Sequence, residues 1–347
     1  MIYLCLAHMS DKGLEQKYIK EAFDTNWVVP LGPNVNAFEE DLKLFVGKDQ
    51  QGLEKEVVAL SAGTAAVHLA LIACGVKPGD EVCVQSFTFC ASSHPITYLG
   101  ATPVFIDSER DTWNMDPVAL ERAFELYPDT KVIMTVNLYG TPAKYDEICA
   151  VAEKHGAVII EDAAESFGAT YKGRQTGTLG TYNVISFNGN KIITGSSGGM
   201  LLTDDLEAAN KARKWSTQSR EDAPWYQHEE IGYNYRMPNI NAALGCAQLE
   251  NIEHCIASKR ATADAYKAFF ENMEGMEFFV EPENSRSNYW LNAVILPDKD
   301  AQVAFLEYTN DHGVMTRPIW ELMNRLPMFE HCQHDGLENT IWFADRV

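Results

Sequence analysis

Positive charge is what this sequence has least of: 28 lysines and arginines stand against 49 aspartates and glutamates, a formal charge of −21 over 347 residues. That deficit excludes nucleic acid and anionic membrane as general partners, because both would be repelled. A small anionic ligand is still accommodated, provided its phosphate is held by backbone N–H groups, hydroxyls and a few cations. Long apolar runs are missing too. None approaches the roughly 18–20 residues of a membrane span, and the apolar start, Met1 to Ala7, is too short and lacks the basic flank of a secretory signal. The eight cysteines include no Cys-x-x-Cys pair. Most sit in apolar surroundings such as Val82-Cys83-Val84, where they read as small hydrophobes. Scattered cysteines without a signal peptide point to a reducing cytoplasm. Internal repeats and low-complexity segments are absent. His331-Cys332-Gln333-His334 has the ligand types of a metal site, but with no second cluster it predicts none.

What is present is an alternation. Short apolar runs at 56–60, 82–85, 103–106, 132–136 and 157–160 are separated by amphipathic helical stretches. Runs that are apolar on both faces belong to strands covered on both sides, the signature of a parallel sheet. Asp116 and Pro117 supply an N-cap and first helical residue for a helix to Leu126, and Gly156 closes another that runs from Lys144 to His155. The pattern predicts a doubly wound α/β sheet. Runs at 184–187 and 199–203 lie too close for an intervening helix and are expected to pair directly. A single long helix is expected over 239–272, with Lys259 and Arg260 near its middle. The division is then a large domain over 1–240, including an N-terminal arm, and a linking helix with a small α+β domain over 241–347.

Three features carry chemistry. Ser61-Ala62-Gly63-Thr64-Ala65-Ala66 follows a strand and opens a helix, a place where small residues and free N–H groups suit a phosphate. Taken alone it reads first as an ordinary turn with Ser61 as N-cap, since such turns are common. Glu161-Asp162-Ala163-Ala164-Glu165 sits at a strand's carboxyl end, where open α/β sheets bind ligands. Taken alone it is equally a solvated acidic loop. Ser186-Phe187-Asn188-Gly189-Asn190-Lys191 also ends a strand, and Asn-Gly-Asn permits a sharp turn with positive φ that aims Lys191 inward. Gly195-Ser196-Ser197-Gly198-Gly199 fits Gly-x-Ser-x-Gly, but a strand pattern follows it where a nucleophile elbow needs a helix.

A phosphate cradle, an acid and a lysine on one sheet edge are the three things pyridoxal 5′-phosphate needs. With these motifs in order, the sequence resembles the DegT/DnrJ/EryC1/StrS family of sugar aminotransferases, which have the aspartate aminotransferase fold (fold type I). The resemblance runs over nearly the whole chain, through the Ser61–Leu71 turn, Pro78-Gly79-Asp80-Glu81-Val82, Ser86-Phe87-Thr88-Phe89, the Glu161–Glu165 and Ser186–Lys191 segments and Gly232-Tyr233-Asn234-Tyr235-Arg236.

The resemblance implies roles. Lys191 is the Schiff-base lysine and Asp162 partners the pyridine nitrogen. Gly63, Thr64 and Ser186 hold the phosphate, Phe89 stacks on the ring, and Glu165 lies near its phenolic oxygen. Asn234 reaches the cofactor phosphate of a neighbouring subunit, which implies a homodimer with shared sites. Asn188–Thr194, Asn284–Asn288 and Thr316–Trp320 are most similar to transaminases of the bacillosamine pathway. The implied reaction moves the amino group of L-glutamate to C4 of a UDP-4-keto-6-deoxy sugar, with Arg236 and Arg317 as candidate partners for phosphate or carboxylate. For the two arginines, structural ion pairing is the competing reading. Many relatives carry histidine where this chain has Asn137, so no substrate contact is assigned there. Relatives also continue past the position of Val347, which leads us to expect uncovered apolar surface around Ile341, Trp342 and Phe343. Sugar dehydratases of the family have histidine in place of the lysine, and Lys191 favours transamination. A non-catalytic, cofactor-binding homologue is the alternative that retention of Lys191 and Asp162 disfavours.

Overall fold

The computed structural model describes residues 1–47 and 52–347. The expected strands form, in chain order, as β1 (Glu56–Leu60), β2 (Glu81–Gln85), β3 (Thr102–Ile106), β4 (Val132–Val136), β5 (Val158–Asp162), β8 (Tyr182–Ser186) and β9 (Gly199–Thr203); the two-residue strands β6 (Thr170–Tyr171) and β7 (Arg174–Gln175) make a separate ribbon with Ser285–Arg286. The central sheet has seven strands in the order β1-β9-β8-β5-β4-β2-β3. All its pairs are parallel except those of β9, which runs antiparallel to both β1 and β8. The direct pairing expected for the last two runs is therefore present.

Helices α1 (Leu14–Asp24), α2 (Pro33–Val46), α3 (Gly63–Ala73), α4 (His94–Tyr98), α5 (Pro117–Leu126), α6 (Tyr145–His155), α7 (Leu206–Ser216), α8 (Asn239–Leu249) and α9 (Ile252–Phe270) cover the sheet and its ends. Because strand side chains alternate between faces, Val58, Leu60, Val84, Met134 and Ile160 pack with α3 on one side. Their neighbours Cys83, Val104, Ile133 and Ile159 pack with α5 and α6 on the other, where Val57, Ala59, Ile185 and Met200 meet α2 and α8. The Asp116 carboxylate accepts from the Val118 N–H, and Gly156 closes α6 in the left-handed conformation.

Several local expectations are corrected. The helix expected over 239–272 is two helices, broken at Glu250 and Asn251; the Asn251 N–H turns back to the Gln248 carbonyl, tightening the end of α8. Ser61 is not the N-cap of α3. Its N–H donates to the Tyr235 carbonyl, and Ala62 stands at the cap with no side-chain bond. Of the apolar tail expected to be bare, Ile341 is exposed, but Trp342 is partly covered and Phe343 fully so. Phe343 is wholly buried, 5.2 Å from the Trp113 ring, and the Arg110 guanidinium lies 3.8 Å from the Trp342 ring centre. Among the described residues no helix is long and apolar enough to cross a membrane.

Candidate active site

The carboxyl ends of β1, β2, β4, β5 and β8 open on one cavity of about 300 Å³. Gly63, Thr64, Phe89, Asp162, Glu165, Ser186 and Lys191 all line it, though they come from segments far apart in the chain. Seven of the residues singled out in the sequence are thus brought together.

Asp162 is the last residue of β5 and points to the α3 side, like Ile160 two positions earlier. One carboxylate oxygen accepts from the Ser92 hydroxyl at 2.7 Å and the other from the Ala164 N–H at 3.1 Å. The Ser92 hydroxyl pairs in turn with Thr88 at 2.9 Å. Burial pushes the Asp162 pKa up, opposed by these hydrogen bonds and by the charge of Lys191. Glu165 is raised for the same reason, with Lys191 the strongest opposing influence. Its carboxylate accepts the Tyr139 N–H at 2.8 Å and stands 3.5 Å from the Lys191 ammonium. Tyr139 holds φ at 54°, an unfavourable left-handed backbone for a non-glycine residue, in making that contact.

Lys191 follows β8. The turn that aims it is closed by its own N–H on the Asn188 carbonyl at 3.0 Å. None of Asn188, Gly189 and Asn190 has positive φ, so the expected left-handed turn does not occur; Ser196 and Gly198 supply the left-handed backbone further along the loop. The Lys191 ammonium lies 4.2 Å from the centre of the Trp290 ring.

The cradle is made of backbone. A Cβ on Gly63 would stand 3.0 Å from that of Ser186, so only glycine lets α3 and the end of β8 approach this closely. With no side-chain cap on α3, its first-turn N–H groups are left for an anion, beside the hydroxyls of Thr64, Ser186 and Ser197. These donors, a flanking Phe89 that is 49 % exposed, a buried carboxylate and an amine fit the phosphate, ring face, ring nitrogen and aldehyde of pyridoxal 5′-phosphate.

The remaining predicted residues lie elsewhere. Arg236 does not reach the cavity: its guanidinium donates to Glu39 at 2.7 Å and to the Ala59 carbonyl at 3.0 Å, the structural ion pair that was the competing reading. Arg317 donates to the Thr316 carbonyl and lines a second, adjoining cavity of about 420 Å³, which shares Trp320 with the first. Asn234 is exposed and is not among the residues lining its own chain's cavity. Asn137 is fully buried and bonded to Glu161, Ala143 and Tyr145. Among the described residues no cluster of three metal-ligating side chains forms. Sequence reasoning missed Ser92, Ser197, Trp290 and Trp320. For Ser92, 70 positions from Asp162 in the chain, no local signal exists.

A mostly parallel sheet with a lysine and a buried carboxylate at its carboxyl edge defines the fold type I class of pyridoxal phosphate-dependent transferases. The sequence profile of the DegT/DnrJ/EryC1/StrS aminotransferase family matches residues 10–347, and the chain belongs to that family. It is 46% identical over 343 residues to a putative pyridoxal phosphate-dependent aminotransferase, EpsN, of Bacillus subtilis, covering 98% of this chain and 86% of the relative. It is 34% identical to GDP-perosamine synthase of Escherichia coli O157:H7, covering 99% and 92% of the two chains. Among solved structures, the aminotransferase TlmJ from Streptoalloteichus hindustanus superposes with a TM-score of 0.92 at 26% identity, covering all of this chain and 92% of that one.

Proposed function

We propose that this protein is a nucleotide-sugar aminotransferase that uses pyridoxal 5′-phosphate and L-glutamate to aminate C4 of a UDP-4-keto-6-deoxy sugar, most specifically UDP-4-keto-6-deoxy-N-acetylglucosamine, in bacterial glycan synthesis. One observation carries the reading: Lys191, Asp162 and the Gly63–Thr64 cradle line a single cavity. Bound there, the cofactor supplies an electron-withdrawing ring and an aldehyde that exchanges amino groups. Lys191 would provide the amine that holds the cofactor's aldehyde carbon and, as a free amine, could take up and return a proton beside it. Asp162, fixed by Ser92 and Ala164, would hold the proton of the ring nitrogen. Ser186, Thr64 and the first-turn N–H groups of α3 would take the phosphate, Phe89 would cover the ring, and Glu165 would lie at its phenolic edge.

The family relationship supports the amino-transfer chemistry, and the E. coli relative is named for a GDP-linked amino sugar. A homodimer with Asn234 entering the partner's site is supported by the apolar side chains beside it. Trp225, Tyr226 and Ile231 are 64%, 83% and 82% exposed on the same stretch, an apolar surface of the kind that marks an interface. In this reading the domain 1–240 carries the cofactor, while 241–347 brings Trp290 and Trp320 to its rim and Arg317 to the adjoining cavity. The setting is the cytoplasm, where the nucleotide sugar and glutamate meet it.

The test is optical and then chemical. Purified protein given pyridoxal 5′-phosphate turns yellow and bleaches on addition of L-glutamate; a protein that stays colourless overturns the enzyme class. Bleached enzyme then transfers nitrogen to a UDP-linked 4-keto-6-deoxy sugar. Transfer to a GDP-linked sugar alone would overturn the nucleotide while leaving the chemistry standing.

A further inference from the structure

The grip on the Lys191 loop comes from the far end of the chain. The Trp290 indole N–H donates to the Asn190 carbonyl at 2.6 Å, the peptide group directly before Lys191. The face of the same ring lies 4.2 Å below the Lys191 ammonium. Trp290 therefore holds the lysine at both its backbone root and its charged tip, and it is itself only 3 % exposed. Its support is rigid. The Trp290 N–H donates to the Asn288 side-chain oxygen at 2.8 Å, and the Asn288 amide donates to the carbonyls of Glu165 at 2.9 Å and Phe167 at 3.0 Å. The Trp290 carbonyl takes a hydrogen bond from Lys259 at 3.1 Å. One short stretch, 288–290, thus fastens the backbone on which Glu165 sits and the backbone that carries Lys191.

We infer that Trp290 is the positioning residue of Lys191: through its indole N–H it fixes the turn, and through its ring face it holds the ammonium over the cavity, 3.5 Å from the Glu165 carboxylate, which can take the proton that the amine must lose before it attacks. A cation over an indole face is attracted by the ring's quadrupole, and more strongly when water is excluded. Misplacing a reacting amine by about 1 Å costs up to about a hundredfold in rate. The inference rests on the assignment of Lys191 as the attachment amine, and it goes beyond that assignment in naming what aims it.

The experiment separates aiming from folding. Two variants are compared with the native protein: Trp290→Phe, which keeps a ring face but has no N–H, and Trp290→Leu, which has neither. Each apoprotein is first titrated with 4-deoxypyridoxine 5′-phosphate, which fills the cradle but has no aldehyde. It is then mixed with pyridoxal 5′-phosphate, quenched with borohydride at timed intervals, and the label on the Lys191 peptide quantified by mass spectrometry. The expected result is unchanged binding of the aldehyde-free analogue. Attachment at Lys191 is slowed by about tenfold or more in Trp290→Leu and by less in Trp290→Phe. Attachment at the native rate in Trp290→Leu overturns the inference. So does a parallel loss of analogue binding and attachment in both variants, which marks a structural role. If native protein acquires the label on another lysine, the assignment of Lys191 fails first and the positioning role falls with it.

Discussion

Glu161 and Asp162 are consecutive carboxylates on one strand, both buried and both with pKa values pushed up by burial, yet the molecule treats them oppositely. The pleat of β5 sends Glu161 to the α6 side, where protein donors meet both of its oxygens: the Asn137 amide at 2.8 Å, the Gly177 N–H at 2.8 Å and the Leu179 N–H at 2.7 Å. Asp162 goes to the other face, receives two protein donors, and leaves the rest of its acceptor capacity facing the cavity. The difference teaches how to tell a structural buried acid from one that awaits a ligand. Burial and a shifted pKa are common to both; the direction of the unused lone pairs is not.

That contrast is breakable from either side. The largest effect belongs to the open acid: Asp162→Ala lowers turnover by about a thousandfold, roughly 4 kcal/mol of barrier, with little change in thermal melting. Steady-state kinetics beside calorimetry checks both halves. The closed acid gives the reverse. Glu161→Ala strands the buried Gly177 and Leu179 N–H groups and destabilises the fold by about 3 kcal/mol, read by urea unfolding; a stable variant with lost activity would reverse the assignment of the two acids. Gly63→Ala comes next. Its new Cβ presses on Ser186, and cofactor affinity falls by about tenfold, measured by fluorescence titration of the apoprotein.

The smallest effect is in pH. A carboxyl whose folded pKa is raised contributes stability at low pH that is lost as pH rises through the folded value. Apoprotein therefore loses stability relative to Asp162→Asn as pH climbs from its ordinary value of 3.8 through the raised folded value. Urea midpoints at several pH values measure the divergence. If Asp162 partners the ring nitrogen as proposed, reconstitution with cofactor narrows the gap, whereas the corresponding gap for Glu161→Gln is left unchanged.

The legibility of the fold followed the range of the interactions that make it. The strands were readable because being apolar on both faces is a local property, and the α5 cap because Asp116 bonds two residues away. That Lys191, Asp162 and Gly63 would meet was readable because each stands at or just beyond the carboxyl end of a strand on the same edge. What escaped depends on partners remote in sequence. Ser92 meets Asp162 across 70 positions, Trp290 meets Asn190 across 100, and Arg236 finds Glu39 across 197. No window of sequence contains both members of such a pair. The break between α8 and α9 was missed for a different reason: helix-forming residues flank it, and one backward hydrogen bond at Asn251 decides it.

The one antiparallel strand of the main sheet has a bearing on assembly order. Because β9 returns directly beside β8, the loop bearing Lys191 is closed by a hairpin, with Phe187 and Gly198 already bonded at 2.9 Å, rather than by a helical crossover. Hairpin closure is a low-contact-order event and costs little chain entropy before it is rewarded. The register of the lysine loop is therefore set within one hairpin, and Trp290, 100 positions beyond Asn190, adds its hydrogen bond from outside it.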